Sequence, residues 1–167
     1  MSPVVITLAL TLAAAGCRNK QAEPEPAPSS APAAPTTPEQ IREQLARHAV
    51  DAIGAGDRAA LQALYMTDDE VRGMAECSRD QLAMRDENLA AVIQRAPHAA
   101  FTFVKWVEKP PVRLEKGKQA AGCTTRVDLE IINGDVMFSS KEHGTLMRGM
   151  SIVKTASGWK LSRIDDQ

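Results

Sequence analysis

The chain has 167 residues, with 20 Lys and Arg against 21 Asp and Glu, for a formal net charge of −1. That length suits one domain of ordinary size, and the charge balance lacks the basic footprint that nucleic-acid binding needs. Three Phe, two Trp and one Tyr leave little material for base stacking, so nucleic acid is excluded as a partner.

Residues 4–15 (VVITLALTLAAA) form an uncharged apolar run closed by Gly16 and Cys17. The run is too short to cross a bilayer core of about 30 Å as a helix, which takes about 20 residues. It has the length of the hydrophobic region of a signal peptide, with small residues after it. The stretch Ala14-Ala15-Gly16-Cys17 resembles the lipobox of bacterial lipoproteins. The resemblance implies removal of residues 1–16 as a signal peptide, acyl chains such as palmitate on Cys17, and a membrane-anchored protein of the cell envelope. Two departures are Ala14, where the family favours Leu, and a start, Met1-Ser2-Pro3, without Lys or Arg. A plain secretory signal or a buried apolar helix with a chance cysteine is the alternative. Arg18, not Asp, follows the cysteine; in Gram-negative relatives that implies the outer membrane, facing the periplasm.

Residues 17–38 contain EPEPAPSSAPAAPTTP. Proline removes backbone donors and fixes φ, so this composition assembles no core. It reads as an extended tether of about 3.1 Å per residue, reaching at most roughly 60 Å. The globular domain is therefore expected over residues 39–167. With Cys17 taken by lipid, Cys77 and Cys123 remain as an even pair in an oxidising compartment, which supports a disulfide. Two separate buried thiols are the alternative.

Thr37-Pro38-Glu39-Gln40 reads as a helix start, and Ile41, Leu45, Ala49, Ala52 and Ile53 recur at helical spacing until Gly54 and Gly56. Asp57 caps a short second helix carrying Leu61, Leu64 and Tyr65. Thr67 to Glu70 repeats the capping pattern for a brief third helix. Ser78 to Gln81 opens a longer one that Pro97 ends. The period then becomes two. Residues 99–108 read as a strand, Pro110-Pro111 as a break, and residues 112–115 as a short edge strand. Residues 123–132 read as the clearest strand, with Cys123, Thr125, Val127, Leu129 and Ile131 on one face. Asn133-Gly134 is a preferred two-residue hairpin turn, which would set Ile131 against Val136 and Leu129 against Phe138. Strands over residues 145–155 and 159–165 follow, joined at Ala156-Ser157-Gly158.

Helices followed by an antiparallel meander make an α+β domain. The stretch from Ala49 through Gly54, Gly56 and Asp57 to Tyr65, with the closing Gly158-Trp159-Lys160-Leu161, resembles the NTF2-like (cystatin-like) superfamily. The resemblance implies N-terminal helices packed on a curved antiparallel sheet, a cone with a pocket. In some members that pocket performs isomerase or dehydratase chemistry. One departure is residues 66–77, which read as helix or turn where many members have a strand.

No catalytic constellation emerges. His48 lies beside the apolar stripe of the first helix, and His98 and His143 fall in loops, without partners spaced for a metal. No metal and no cofactor is implied. Tyr65, Met137, Met147 and Met150 are the candidate pocket residues, although each also suits a core. Asp128 and Glu130, two apart beside Arg126, have acid–base spacing that a solvated sheet face shares. Five basic residues between Lys105 and Lys118 suit either anionic lipid contact or protection of an edge strand. The favoured reading is a non-catalytic envelope lipoprotein whose domain binds a small apolar ligand or a partner protein. A pocket enzyme and a structural envelope-assembly protein are the alternatives.

Overall fold

The computed structural model describes residues 36–95 and 99–165. The expected signal peptide, Cys17, most of the tether, Pro97 and His98 lie outside the described residues. Thr37 accepts a hydrogen bond from the Gln40 backbone at 3.3 Å, and the Gln40 side chain accepts from the Thr37 backbone at 3.1 Å. This capping box opens α1 (Pro38–Ala55), which Gly56 ends in the left-handed conformation at φ 65°. Asp57 accepts from Ala60 N at 2.9 Å and starts α2 (Arg58–Leu64). Thr67 and Glu70 form a second capping box at the head of α3 (Asp68–Met74). The Ser78 hydroxyl accepts from Gln81 N ahead of α4 (Arg79–Arg95). Each expected start is present because capping depends on side chains within three residues of the backbone they satisfy.

The strands are β1 (Ala75–Cys77), β2 (Thr102–Glu108), β3 (Val112–Leu114), β4 (Gln119–Ala120), β5 (Cys123–Thr125), β6 (Leu129–Ser140), β7 (Gly144–Thr155) and β8 (Gly158–Ile164). All their pairings are antiparallel, so the domain is α+β. The larger sheet runs β2-β6-β7-β8, and β3 also pairs with β6. Lys109 N donates to Asn133 O at 2.8 Å, so β2 and β3 follow one edge of β6 on either side of Pro110-Pro111. A small second sheet runs β1-β5-β4. Residues 66–77, expected as helix or turn, are thus α3 followed by a short strand.

The largest correction concerns residues 123–140. Asn133-Gly134 is not a turn: β6 runs straight through it, and the chain reverses at Lys141–His143. Ile131 faces Val153, not Val136, and Phe138 faces Leu146, not Leu129. The expected strand 123–132 is also broken at 126–128, and Val127 is exposed. Ile132, Gly134, Val136 and Phe138 are buried on one face of β6, while Leu129 and Ile131 are half-buried on the other. A strand with apolar residues on both faces in turn looks, by alternation, like two strands that change parity at a turn. Gly134 serves a close approach instead. A Cβ there would lie 2.4 Å from the Trp106 ring.

One buried cluster joins Ala49, Val50 and Ile53 of α1, Leu61 of α2, Leu89 and Val92 of α4, and Val136, Phe138, Ile152, Leu161 and Ile164 of the larger sheet. Gly54 allows α1 to approach the Phe101 ring, which meets Phe138 edge-on with centroids 4.8 Å apart.

Two polar clamps reinforce this cluster. Arg42 is only 5% exposed and donates to both oxygens of Glu108, at 2.7 and 2.8 Å, while lying over the Trp159 ring. Trp106 Nε1 donates to the same carboxylate at 3.0 Å. Arg42 holds the Glu108 carboxyl below the usual range, and Glu108 raises the Arg42 guanidinium in return. Arg42→Met is expected to destabilise by about 2 kcal/mol, below the 3–5 of a fully buried pair because Glu108 keeps some solvent. An unchanged urea midpoint would refute this role.

The second clamp is Glu70, which accepts from Thr155 at 2.8 Å and from the Ser157 hydroxyl, tying α3 to the β7–β8 turn. Burial opposes its ionisation, but hydrogen bonds from Ser157, Thr67 and Thr155 outweigh it and hold the carboxyl at about 2. The folded value lies below the unfolded one, near 4.3. The contribution is therefore complete above the unfolded value and lost as pH falls toward the folded one. Because Glu70 stays partly exposed and solvent screens the gain, it amounts to about 1 kcal/mol. Stability measured from about pH 5 down to about pH 2 should fall less steeply in Glu70→Gln than in the wild type. Superimposable profiles would exclude the clamp.

Candidate functional site

The face of the sheet turned away from the buried cluster carries its own apolar strip. Val112 and Leu114 of β3, Leu129 and Ile131 of β6 and Val153 of β7 line a groove of about 330 Å³, together with Val71 and Met74 of α3. The register explains the strip, since Val112 pairs with Ile131, Leu114 with Leu129, and Ile131 with Val153. A second hollow, of about 430 Å³, shares Met66, Val71, Ala75 and Cys123 with the first and extends to Leu82, Met84 and Arg85 of α4. Cys77 and Cys123 are disulfide-bonded, with Cα atoms 4.3 Å apart, and border this second hollow. The cross-link joins directly opposed residues of β1 and β5 and so fixes one groove wall. The larger recess beside Thr102 and Ser139, about 490 Å³, is lined by small and charged residues at the β6–β7 turn and has no comparable apolar floor.

A smaller cavity, of about 250 Å³, lies where the segment after α2 faces α4, with Tyr65, Met66, Asp68, Arg85 and Leu89 in its lining. Tyr65 is 4% exposed. Its backbone forms an isolated bridge with Leu161 of β8, and Met66 N donates to Leu161 O at 3.0 Å. Burial pushes its phenol above the ordinary range; the Ile164 backbone and Arg85 favour the phenolate to a lesser degree. Arg85 donates through Nη2 to Asp68. Two buried atoms, Tyr65 Oη and Arg85 Nη1, have no hydrogen-bond partner among the described residues. The Ile164 backbone is near the phenol but outside ordinary hydrogen-bond geometry.

The expected site residues are not brought together. Tyr65 lines the smaller cavity between α4 and the segment after α2. Met150 is in the buried cluster at 2% exposure, whereas Met147 is 61% exposed and opposes Met137 across β6 and β7 on the other face. His48 and His143 are exposed. Asp128 accepts from Lys116 N at 2.8 Å beside the strand break, and Glu130 pairs with Arg113 across β3, so the two carboxylates serve separate local contacts. Lys109 of the basic run pairs with Asp135 at 2.9 Å. Among the described residues, no cluster of three or more His, Cys, Asp or Glu side chains is placed to hold a metal ion. No helix among them is long and apolar enough to cross a membrane.

Arg85 was missed from sequence because a lone arginine on the polar side of α4 carries no signal. Its partner Asp68 and neighbour Tyr65 lie on other elements. The groove was missed because its lining comes from short segments whose outward-facing apolar residues are individually ordinary. Compared with protein-family models, characterised proteins and solved structures, the chain matches none.

Proposed function

We propose that this chain is an exported lipoprotein, anchored through acyl chains on Cys17, whose α+β domain binds a small apolar ligand in the groove between β3, β6, β7 and α3. The observation that carries the binding function is the apolar strip of Val112, Leu114, Ile131 and Val153 facing Val71 and Met74. Monomers seldom leave such concave apolar surface without a use for it. The anchoring reading is supported by the order of apolar run, cysteine and Pro-rich spacer in the sequence. A disulfide between Cys77 and Cys123 suits an exported protein. The NTF2-like reading is supported by four helices ahead of the long meander and by the closing strand at Trp159, and its cone of helices on a curved sheet belongs to the same proposal.

Catalysis of the isomerase or dehydratase kind is the weaker reading. The carboxylates whose affinity for protons moves, Glu39, Glu70 and Glu108, all become more acidic and stay ionised at neutral pH. None is a protonated acid poised for transfer. The test uses the Cys17→Ser chain, soluble without lipid, titrated with the apolar fluorophore N-phenyl-1-naphthylamine. Saturable fluorescence enhancement is expected, weakened at least about tenfold by Ile131→Glu, which buries a charge in the groove. No enhancement would overturn the ligand reading. Enhancement indifferent to Ile131→Glu would move it elsewhere. Mass spectrometry of the native amino-terminal peptide tests the anchor independently.

A further inference from the structure

The charges around the two apolar hollows are arranged with one sign inward. Among the described residues, Arg163 of β8 is the only charged side chain lining the groove, and the second hollow adds Arg85 alone. Their carboxylate partners stand outside both linings. Asp165 lies 3.0 Å from Arg163 Nε, and Asp68 accepts from Arg85 Nη2. Arg163 is exposed, so its guanidinium can meet a ligand without first being uncovered. Asp165 engages it through Nε, which leaves the two terminal nitrogens of the fork as donors.

The register places that charge at one end of the apolar floor. On the outward face of β6, Leu129, Ile131 and Asn133 follow one another at every second residue. Leu114 stands opposite Leu129, and Val112 and Val153 stand opposite Ile131. The next row is polar, with Asn133 opposite Ser151 and Ser151 opposite Arg163, and all three line the groove. The Ser151 hydroxyl donates to Asn133 Oδ1 at 2.7 Å, so that oxygen is engaged while the amide nitrogen remains a donor. Beyond this row, Asp135 is held by Lys109 at 2.9 Å. From Leu129 to Asn133 the floor runs about 13 Å. The groove, at about 330 Å³, is small for a ligand site and suits one acyl chain.

A neutral head group would leave Arg163 unused, and a cationic one would be repelled by it. A carboxylate matches the planar fork in both charge and geometry. We propose that the groove ligand is a single-chain fatty carboxylate, with its chain along Leu129, Ile131 and Val153 and its head at Arg163 and Asn133. This inference rests on the groove reading above and specifies the chemical class the groove takes.

The experiment displaces N-phenyl-1-naphthylamine from the Cys17→Ser chain with three molecules of matched chain length: octanoate, methyl octanoate and octyltrimethylammonium. Octanoate is expected to displace the probe at about one-tenth the concentration the ester requires, the effect of one charge-assisted hydrogen bond to a solvated guanidinium. Octyltrimethylammonium should be the weakest of the three. Arg163→Gln should remove the preference for octanoate and leave displacement by the ester unchanged. Its urea midpoint should stay at the wild-type value, because the ion pair it deletes is exposed.

Equal displacement by octanoate and methyl octanoate would overturn the proposal while leaving the apolar groove reading intact. A preference that survives Arg163→Gln would overturn it equally, as would octyltrimethylammonium matching octanoate. Probe binding that octanoate does not displace would also overturn it. Absence of probe binding, with no heat from octanoate by calorimetry, is the distinct failure of the groove reading and takes this inference with it.

Discussion

Gly134→Ala is expected to destabilise the domain by about 3 kcal/mol, the upper end of the range for overpacking. A Cβ at this position would lie 2.4 Å from the Cη2 and Cζ2 atoms of Trp106 and 2.7 Å from the Val107 carbonyl oxygen. The carbonyl belongs to the paired edge strand β2, where Glu108 stands opposite Gly134, and cannot step aside without breaking the ladder. The indole can move only by giving up its 3.0 Å hydrogen bond to Glu108, the carboxylate that also holds Arg42. Urea denaturation of a double-mutant cycle with Trp106→Ala checks the cause. With the ring removed, the cost of Gly134→Ala should fall by at least about 1 kcal/mol. A glycine required by a hairpin turn would instead cost the same in both backgrounds, because its penalty is a matter of its own backbone angles. The cycle thus decides between the extended β6 and the Asn133-Gly134 hairpin that local sequence favours.

Loss of the Cys77–Cys123 disulfide should have a still larger effect. The two cysteines are 46 residues apart, and closing a loop of that size removes about 4 kcal/mol of unfolded-state entropy in the chain-entropy model. The native side has little else to hold it, since β1 and β5 have three residues each and β4 has two. Strands of that length are marginal without support. The Cys77→Ser/Cys123→Ser double variant is expected to unfold at a urea midpoint corresponding to a loss of about 3–4 kcal/mol. It should also bind N-phenyl-1-naphthylamine more weakly, because Cys123 lines both apolar hollows. Two reactive thiols from these positions in the denatured, unreduced protein would remove the premise. A midpoint within error of the wild type would show that the short sheet holds without its cross-link.

The clamps formed by Arg42 and Glu70 act at a lower level, and both join a helix to a strand far along the chain. Arg42 meets Glu108 across 66 positions, and Glu70 meets Thr155 across 85. Neither pairing leaves a trace in local spacing. An arginine beside an apolar stripe and a glutamate in a capping box are explained fully by the helices that carry them. The same distance hid Tyr65 and Arg85 as a pair. Tyr65 is the single tyrosine of the chain, but its burial against Leu161 of β8 depends on residues far along the chain.

By itself, the sequence determined the helix boundaries at Thr37, Gly56, Asp57, Thr67 and Ser78, the strands closed at Ser157-Gly158, and the α+β class. These features rest on capping bonds, left-handed glycines and turn chemistry, all settled within a few residues. Cysteine parity similarly anticipated the bond from Cys77 to Cys123. Tertiary structure alone decided that β6 continues through Gly134, that Leu129 and Ile131 turn away from the buried cluster, and that Met150 parts from Met137 and Met147. The physical reason is that alternation reports which residues share a face and never what covers that face. An edge-strand indole over Gly134, and α3 across the groove from Ile131, supply the missing half from elsewhere in the chain.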